Sequence, residues 1–455
     1  MIDLVPPQRR REAGEALRQE VPLEDQCVLE TADRPNPVQL LAAQDRTRLA
    51  ELVPIRHQRM GASPFTFYRG SAAVMASDLA RLPSVGVQVQ LCGDAHLSNF
   101  GLFNSPDRRL VFDVNDFDET LPGSFEWDLK RLAASVTIAG RHNGLSSKEI
   151  RKATRASVRG YRKIIERAVG MSPLDVHYQR IEVESLIADN EKVSKRSRSV
   201  VEKATSKTSV RAVDKLTAVV DGRRRIVANP PLVTPIRDRL EGAEGQEVLE
   251  FFRGYRASLP PHRSAVLDRY RILDVAHKVV GVGSVGTRCL IVLLESDGGS
   301  PLVLQFKEAG ASALELHREA SNDANGGERV VRGQRLMQAT GDIFLGWSRF
   351  VKIDGSTVDF YFRQMWDGKG SVEVEDMGPK RLKNYADHCG GTLGLAHART
   401  GDAAMISGYL GDDSTIDHVL ADFAERYADL NDLDYAEHAA AIAAGVLPAP
   451  PSDGQ

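Results

Sequence analysis

The 455-residue sequence contains only four cysteines, Cys27, Cys92, Cys289 and Cys389, and no two of them lie close together. This number and spacing exclude a disulfide scaffold and a CxxC zinc site, and they fit a reducing compartment. The sequence also lacks any apolar run of the about 18 residues that a transmembrane helix needs. Its N-terminal residues lack the apolar segment of a secretion signal. We therefore expect a cytoplasmic protein with no membrane partner.

The sequence has no strong excess of charge of either sign, with 59 Lys and Arg against 62 Asp and Glu and a net charge of −3. This balance excludes a chain whose whole surface is a polycation, so we expect no nucleic-acid partner. Hydrophobic residues make up 42% and charged residues 27%, which indicates a buried core. Residues 191–211 depart from the balance, with seven Lys and Arg against two Glu. Such a run is typical of a solvated helix or loop, and the alternative is a face for an anionic partner.

The hydrophobic pattern divides the chain into helical and strand-rich parts. Residues 1–55 contain several prolines and many charges, which predicts an irregular arm with one helix near 38–52. Residues 125–170 predict two helices. Residues 271–365 predict five strands rich in Val, Ile, Leu, Phe and Tyr, with one helix over 312–340 between the third and the fourth. The chain is therefore predicted to be α+β, with an antiparallel sheet in its second half.

After Met365 the pattern becomes helical again. Residues 379–398 predict a helix with an apolar face, although each of its three internal glycines lowers helix stability by roughly 1 kcal/mol. Ser414 and Asp417 resemble a capping box that opens the last helix. Prolines close a tail over 446–455 that we expect to be disordered.

The first chemical motif is GDAHLSN at 93–99, a polar turn after a predicted strand. Asp94 and Asn99 are five residues apart, which is the spacing between the catalytic Asp and the metal-binding Asn of the kinase catalytic loop. At this spacing a carboxylate can reach the attacking hydroxyl while the amide oxygen reaches a metal ion. The alternative for both residues is an Asx-rich turn. His96 is a candidate zinc ligand, but the nearby sequence supplies no zinc-ligand set, which favours a core or turn role.

The second motif is NDFDE at 115–119, at the end of another predicted strand. Asp116, Asp118 and Glu119 place three acidic side chains within four positions. Burying such a group is costly without a cation, which favours a metal site. Mg²⁺ prefers oxygen ligands and usually shares them with substrate phosphates. The alternative is a solvated strand end.

The third motif is GVGSVG at 281–286, which contains Gly281, Gly283 and Gly286. A dinucleotide-binding fingerprint requires a helix after the glycines, but here a second strand follows. A strand, glycine loop and strand form a hairpin whose backbone can fold over phosphates, as in kinases, where a lysine on a later strand completes the site. Lys307 suits that lysine. The alternatives are an ordinary glycine-rich turn and a lysine that snorkels from a strand edge.

Several segments together resemble a bacterial family named only as domain of unknown function 2252. These segments are CGDAHLSNFG, FDVNDFDET, SPFTFYRG, KVVGVGSVGTR and RVVRGQRLMQATGDIFLGW. The resemblance covers roughly residues 36–440. The individual motifs also resemble those of aminoglycoside phosphotransferases and other small-molecule kinases, which carry HGDxHxxN followed by a strand ending in IDFDD.

The resemblance to these kinases implies a role for each matching residue. Asp94 matches the catalytic base, Asn99 the metal-binding amide and Asp116 the metal-binding carboxylate. Cys92 stands where those kinases have their first His, so the contacts of that side chain are absent. Asp128 resembles their downstream Asp, which helps to brace the catalytic loop.

The order of the motifs departs from those kinases, because the catalytic loop precedes the glycine-rich loop by nearly 190 residues. We therefore expect a circularly permuted, two-lobed protein kinase-like fold. Its large lobe would be mainly helical, and its small lobe a five-stranded antiparallel sheet plus one helix. The expected divisions are an N-terminal arm (1–55), the catalytic-loop part of the large lobe (56–265), the small nucleotide-binding lobe (266–368), the helical remainder of the large lobe (369–445) and a disordered tail (446–455).

The same resemblance suggests further site residues. Gln364 and Met365 resemble the hinge, beneath which a hydrophobic slot would hold adenine. Glu315 is the favoured helical partner of Lys307. Two other glutamates are alternative partners: Glu319 and Glu328. Arg69 either holds a phosphate or pairs with a carboxylate.

The resulting hypothesis is an ATP- and Mg²⁺-dependent phosphotransferase that acts on a small-molecule acceptor. Asp94 would take the proton of the acceptor hydroxyl, Asn99 and Asp116 would hold Mg²⁺, and Lys307 and the glycines would bind the nucleotide phosphates. Three alternatives stay open. They are an inactive nucleotide-binding pseudokinase-like module, a nucleotidyl transferase on the same frame, and a dimetal phosphoesterase. The segment Asp94-Ala-His96 suggests the phosphoesterase, but this sequence lacks the GNH element that accompanies it in such enzymes.

Overall fold

The computed structural model describes most of the chain. The described residues are 5–183, 209–220, 222–236, 245–279, 283, 285–318, 321, 323–352, 354–365 and 370–449. Of the basic segment 191–211, only the last three residues are among them. The described α-helices are α1 (Pro7–Ala16), α2 (Pro37–Asp45), α3 (Val53–Met60), α4 (Pro64–Gly70), α5 (Ala72–Leu79), α6 (Glu126–His142), α7 (Ser147–Val169), α8 (Pro173–Tyr178), α9 (Ser209–Leu216), α10 (Gly245–Ser258), α11 (Pro261–Leu267), α12 (Gly326–Met337), α13 (Pro379–Thr400), α14 (Ala403–Leu410) and α15 (Thr415–Ala443).

The strands form one large sheet and three smaller ones. The described strands are β1 (Gln88–Leu91), β2 (Phe100–Asn104), β3 (Leu110–Val114), β4 (Leu121–Ser124), β5 (Ile181–Glu182), β6 (Thr217–Val220), β7 (Arg223–Ile226), β8 (Val233–Pro235), β9 (Tyr270–Lys278), β10 (Cys289–Ser296), β11 (Pro301–Glu308), β12 (Gly346–Val351), β13 (Thr357–Gln364) and β14 (Gly370–Ser371). The smaller sheets are β1-β4, β14-β2-β3-β5 and β6-β7. The architecture is therefore α+β.

The N-terminal segment is packed against the helical part of the molecule, and it contains α1 in addition to the helix predicted near 38–52, of which α2 forms the first part. Helix α1 crosses α14 so closely that a Cβ at Gly14 or at Gly408 would overlap a backbone carbonyl of the other helix. Farther along, the guanidinium of Arg34 lies 2.6 Å from Oδ1 of Asp78 and 2.6 Å from Oδ1 of Asp434. These contacts order a segment whose proline content suggested a loop.

The helical core is built on α6, α7, α13 and α15. The two helices predicted after residue 125 are α6 and α7. Helix α7 lies against α13 at two glycines of α13, because Gly390 faces the carbonyl of Ser157 and Gly394 faces that of Tyr161. A Cβ at Gly394 would lie 3.0 Å from the Tyr161 oxygen, and one at Gly390 would overlap the Ser157 oxygen. The glycines that lower helix propensity therefore allow close packing of the two helices.

The large sheet has the strand order β12-β13-β11-β10-β9-β8, and all its neighbouring pairs are antiparallel. Its five longest strands are those predicted over 271–365, and β8 is an additional edge strand. The single helix predicted over 312–340 was wrong. Ala313–Leu316 forms a short 3-10 helix, and α12 begins only after Asn325, whose side chain accepts hydrogen bonds from two backbone amides of the first turn.

Elements before residue 266 pack on both faces of this sheet. On one face, the ring of Tyr255 in α10 stacks on that of Phe362 with 3.9 Å between centroids. On the other face, Val213 of α9 joins a hydrophobic cluster with residues of β10 and β11. The predicted boundary at 266 therefore differs from the packing, which joins α9, α10 and α11 to the sheet because their apolar side chains find their partners there.

The last helix, α15, starts without the predicted capping box. Among the described residues Ser414 finds no capping partner for its side chain, and Asp417 lies 3.2 Å from Arg162 of α7. Beyond α15, Leu447 is buried, while residues 450–455 of the predicted tail lie outside the described residues. None of the helices in the described part of the chain has both the length and the apolar character needed to cross a bilayer.

Candidate active site at the junction of two loops and the large sheet

Two loops that the sequence singled out lie side by side, joined by the side chain of Asn99. Residues 93–99 run from β1 to β2, and residues 115–119 follow β3, the antiparallel neighbour of β2. Nδ2 of Asn99 donates to the carbonyl oxygens of Asp94 and Asp116, both at 3.0 Å, and Oδ1 accepts the amide proton of Asp116 at 2.7 Å. Asn99 is thus a buried link that fixes the backbone at both aspartates.

Asp128, in the first turn of α6, supports the first loop from behind. Its carboxylate accepts the amide protons of Cys92 at 2.8 Å and Gly93 at 3.1 Å, which sets the path of the chain after β1. These contacts match the bracing role that the sequence predicted. Nε2 of His397 in α13 lies 3.3 Å from the same carboxylate. Sequence reasoning missed His397, because 269 positions separate it from Asp128.

Asp94 is held by an arginine that sequence reasoning also missed. Nε and Nη2 of Arg131 in α6 lie 2.8 Å and 2.7 Å from Oδ1 of Asp94. The guanidinium also lies 3.9 Å from the centroid of the Tyr68 ring and donates to the Tyr68 carbonyl at 2.7 Å. The other oxygen of Asp94, Oδ2, faces Nε2 of His96 at 3.6 Å. A signal existed in the sequence, because Lys130 and Arg131 interrupt an apolar helix and a buried charge requires a partner.

Lys307 of β11 lies beside the second loop. Its Nζ is 3.3 Å from Oδ2 of Asp116 and forms a second ion pair with Asp118, which also accepts the hydroxyl proton of Tyr361 at 2.8 Å. Burial opposes a charge on Lys307, but Asp116 and Asp118 outweigh it, so the pKa of Lys307 lies well above its usual value. Burial and the charge of Asp116 raise the pKa of Asp118. The two loops and β11 therefore meet in one site.

The described part of the glycine-rich turn between β9 and β10 lies against the end of α4 and the segment before α3, and Gly281 is outside the described residues. A Cβ at Gly283 would lie 3.3 Å from the carbonyl oxygen of Arg69, so the turn approaches the end of α4 closely. Gly286 has a φ of +93°, a conformation that favours glycine. Because glycine has no side chain, the described part of the turn can approach α4 at Gly283 and adopt a positive φ at Gly286.

The N-terminal segment holds this turn in place. The amide of Leu49 donates to the carbonyl of Gly286 at 2.7 Å, and Nη1 of Arg48 donates to the carbonyl of Val285 at 2.5 Å. The sequence gave no local signal for these contacts, because 237 positions separate Arg48 from Val285. The turn is thus anchored to the same body that carries both loops.

The two predicted hinge residues lie at the end of β13. Gln364 lines a cavity of about 100 Å³ together with Asn115 and Arg363. Nη1 of Arg363 donates to the carbonyl of Asn115 at 3.2 Å, so this cavity adjoins the second loop. Met365 is buried, and its amide donates to the backbone of β11 at 2.9 Å. Residues 366–369, which follow, lie outside the described residues.

Glu315, the favoured partner of Lys307, lies instead beside Arg329. Its Oε1 is 3.5 Å from Nε of Arg329 in α12, whereas Lys307 pairs with the two aspartates described above. Arg329 also donates to the carbonyl of Asp118 at 2.8 Å, so an arginine links α12 to the second loop. The alternative partners were Glu328, in the first turn of α12, and Glu319, outside the described residues. The expected pair fails because the acidic loop itself neutralises Lys307.

Arg69 lies at the end of α4, where its carbonyl faces the glycine-rich turn, and His96 lies in the first loop itself. Nη1 of Arg69 lies 3.7 Å from Oε1 of Glu375. The sequence offered either a phosphate or a carboxylate as the partner of Arg69, and the structure shows a carboxylate, in a weak ion pair. Nε of Arg69 and Nδ1 of His96 are buried, and neither has a hydrogen-bond partner among the described residues. Burial lowers the pKa of His96 to about 4, so its ring is neutral at pH 7.

Asp116 and Asp118 are the carboxylates of the site that remain partly open to solvent near Lys307. Their side chains are 42% and 26% exposed. Within the described ranges, no three His, Cys, Asp or Glu side chains form a group that could hold a metal ion. Mg²⁺ commonly takes one or two protein carboxylates and completes its shell with water and substrate phosphates. The donor set therefore fits an ion that is shared with a phosphorylated substrate.

Comparisons with known proteins add one finding. A family model described as an uncharacterized protein conserved in bacteria (DUF2252) matches residues 48–441. No curated protein and no solved structure matched the chain. The matched range contains both loops, the glycine-rich turn and β11.

Proposed function

We propose that this chain, which belongs to the bacterial family DUF2252, is a phosphotransferase that uses ATP and Mg²⁺ to phosphorylate a small-molecule acceptor. The observation that carries the proposal is the 3.3 Å contact between Lys307 and Asp116. It lies in a site where one amide, that of Asn99, holds the backbone of both Asp94 and Asp116. Phosphoryl transfer depends mainly on positioning and on stabilisation of charge, and these residues supply a cation, carboxylates and a candidate base together.

On the nucleotide side, the ammonium group of Lys307 would bind phosphate oxygens. It is 2% exposed and already neutralises carboxylates, so it is a fixed charge rather than a mobile surface lysine. Gly283 and Gly286 lie in the turn that precedes β10, whose Cys289 is the strand partner of Lys307, and the absence of side chains at these glycines allows backbone amides to approach phosphates. Lys307 and the turn thus have the chemistry needed to bind a polyphosphate.

Asp116 and Asp118 would hold Mg²⁺, because their carboxylates are partly exposed and lie close together at Lys307. When bound, Mg²⁺ neutralises charge on the phosphates during transfer. The sequence predicted Asn99 as a second ligand. Its Oδ1 already accepts the Asp116 amide at 2.7 Å, so we assign it the positioning of Asp116.

On the acceptor side, Asp94 would receive the proton of the attacking hydroxyl. Its Oδ1 binds Arg131, which leaves Oδ2 as the atom available to an acceptor. Arg131 fixes the direction of the carboxylate, and a positioned base contributes typically 10²–10⁴-fold to such reactions. Arg131 is therefore a positioning residue in this proposal.

We also propose that the fold is kinase-like in circularly permuted order. Support comes from α13, which follows the sheet in sequence yet packs behind the first loop. The hydroxyl of Tyr385 in α13 donates to the carbonyls of Leu97 and Phe100, both at 3.0 Å. This is the place where the kinase-like arrangement needs a helix next to the catalytic loop.

One observation favours a second candidate, the inactive nucleotide-binding module. Oδ1 of Asp94 already accepts both Nε–H and Nη2–H of the buried Arg131, so half of the candidate base is occupied by a structural contact. The two candidates predict the same nucleotide binding by Lys307 and Asp116. They differ only in whether phosphate is transferred.

Thermal unfolding of the full chain with ATP, with Mg²⁺ and with both together tests the proposal. Ligand at 100 times its Kd stabilises a protein by about 2.7 kcal/mol, which is readily detected as a shift in Tm. We expect the largest shift with both ligands. Incubation with γ-labelled ATP and a pool of small metabolites then separates transfer from binding alone. If ATP with Mg²⁺ gives no shift, both candidates fail.

A further inference from the structure

We propose that the acceptor is a hydroxylated anion whose carboxylate or phosphate group binds Arg69 while its reacting hydroxyl lies at Oδ2 of Asp94. This inference rests on the proposed function and names the chemical class of its acceptor. It concerns the part of the site between the first loop, the end of α4 and the glycine-rich turn.

Arg69 has an incompletely satisfied guanidinium. Within the described residues its one ion-pair partner is Glu375, at 3.7 Å, and the Glu375 side chain is 41% exposed. An ion pair of this length to an exposed carboxylate is weak, so a ligand can replace it. The Nε–H of Arg69 is buried and meets no acceptor in the part of the chain that the structure describes, which is a costly arrangement unless a ligand supplies one. A carboxylate or a phosphate group can accept two N–H bonds from the fork of an arginine, so it would satisfy both the buried Nε–H and the weakly paired Nη1 of Arg69.

The position of Arg69 connects this anion site to the reacting atoms. Its carbonyl oxygen lies under Gly283 of the glycine-rich turn, and its side chain lies within the electrostatic range of Asp94. Arg131 already neutralises Asp94, so Asp94 does not need the charge of Arg69, and a ligand competes only with the weak pair to Glu375. A cationic acceptor, as aminoglycosides are, would leave Arg69 uncompensated and would be repelled by it.

His96 provides a second, neutral contact on the same side. Its Nε2 faces Oδ2 of Asp94 at 3.6 Å, which favours the proton on that nitrogen. Nδ1 is then an acceptor, and it is buried without a partner among the described residues. A second hydroxyl of the acceptor would donate to it. The three groups Arg69, Asp94 and His96 thus fit an anion that carries more than one hydroxyl.

Three probes with a common skeleton test the proposal: glycerol, D-glycerate and glycerol 3-phosphate. Each is titrated into the full chain by calorimetry, with and without Mg²⁺ and a non-hydrolysable ATP analogue. We expect binding of at least one anionic probe and none of glycerol, and the stronger anionic probe identifies a carboxylate or a phosphate as the source of the charge. In Arg69→Met the Kd of that probe should rise by roughly tenfold or more, as for loss of a hydrogen bond to a charged group.

Arg141→Met is the matched control. The side chain of Arg141 in α6 is 31% exposed, which is similar to that of Arg69, and it pairs with Asp429 and Asp432 away from both loops. Probe binding should therefore be unchanged in this variant. Arg69→Lys keeps the positive charge but lacks the guanidinium fork, so it should lose less affinity than Arg69→Met. It takes the place of Arg69→Met in the titrations if circular dichroism shows that Arg69→Met does not fold. An unchanged Kd in a folded Arg69 variant, equal binding of glycerol, or no binding of either anion would overturn the proposal. Anion binding that needs Arg69 in a chain that does not bind ATP would refute the phosphotransferase and leave the anion site standing.

Discussion

Nζ of Lys307 lies 3.3 Å from Oδ2 of Asp116, although 191 positions separate the two residues in the chain. Both belong to motifs that the sequence singled out for unrelated local reasons, a lysine on an apolar strand and an acidic strand end. Lys307 is almost fully buried, so removal of its partners would leave an uncompensated charge, which is strongly destabilising in protein interiors. The contact therefore couples the sheet to the second loop energetically as well as spatially.

The first prediction concerns this pair. Asp116→Ala should weaken the Mg²⁺-dependent part of ATP binding more than Lys307→Ala does, because the ion loses one of two carboxylates whereas the phosphates keep backbone donors. Calorimetric titration of ATP with and without Mg²⁺ measures both effects. Asp107→Ala is the control, since Asp107 is 52% exposed and pairs with Arg180 instead. Full Mg²⁺ dependence in Asp116→Ala would argue against the metal assignment.

Asp94→Asn should leave ATP binding nearly intact and lower the rate of transfer. The amide is almost isosteric and its oxygen can still accept from Arg131, so the fold should survive. Loss of a general base typically lowers the rate by about 10²–10⁴-fold, roughly 3–5 kcal/mol in the barrier. Single-turnover phosphate transfer and ATP titration are the two measurements. Loss of ATP binding in a folded variant would make Asp94 a metal ligand, and transfer at the parental rate would make another residue the base.

The strands of the large sheet could be predicted from the sequence because their hydrophobic pattern is local. The predicted helix over 312–340 failed for an equally local reason, since Ser312 and Asn325 each cap a separate helix start. The attachment of α9, α10 and α11 to the sheet could not be predicted, because an apolar helix face does not specify which apolar surface it covers. Tyr255 stacking on Phe362 is the contact that decides it.

Within the site, the residues that carry motif spacing were accessible to sequence reasoning, and their partners were not. Asp94 and Asn99 are recognisable because five positions separate them. Arg131 and Arg48 are not themselves part of any motif, and their partners are known only when the chain brings them to Asp94 and to Val285. The sequence shows which chemical groups a loop carries, whereas the charged side chains that hold those groups in position are identified only by tertiary contacts.

Asp113 should make stability depend on pH between about 4 and 6. Burial raises its pKa to about 6, above the value near 3.9 in an unfolded chain. A raised folded-state pKa gives a contribution that is present below pH 4 and is lost as the pH rises through 6. Asp113→Asn should therefore be more stable than the parent at pH 7.5, by up to about 3 kcal/mol, and show no such gain at pH 4.

Urea unfolding of Asp113→Asn and the parent at both pH values measures this difference. Asp107→Asn is the control of opposite sign, because Arg180 lowers the pKa of Asp107 to about 2 and its contribution is lost only as the pH falls. That variant should gain no stability at either pH. A stability difference for Asp113→Asn that stays constant between pH 4 and 7.5 would contradict the linkage.

The last prediction concerns the contact between α7 and α13. Helix propensity alone predicts that Gly390→Ala stabilises α13 by about 1 kcal/mol. The added Cβ would overlap the backbone carbonyl oxygen of Ser157, which cannot rotate away as a side chain could. The helices must then separate, and overpacking of this kind costs typically 1–3 kcal/mol and occasionally more. We expect the packing cost to exceed the propensity gain, so Gly390→Ala should be less stable than the parent in urea.

Gly378→Ala, at the N-cap of the same helix, is the control without an overlap. A Cβ there meets no atom within 4 Å, so stability should fall by no more than about 1 kcal/mol, the preference of an N-cap for glycine over alanine. The hydroxyl of Tyr385 in α13 donates to the carbonyl of Leu97 in the first loop. Separation of the helices in Gly390→Ala should therefore also lower the affinity of the first loop for its ligand. If Gly390→Ala were as stable as Gly378→Ala, the two helices would not be in the contact described, and the support of the first loop by α13 would have to be reconsidered.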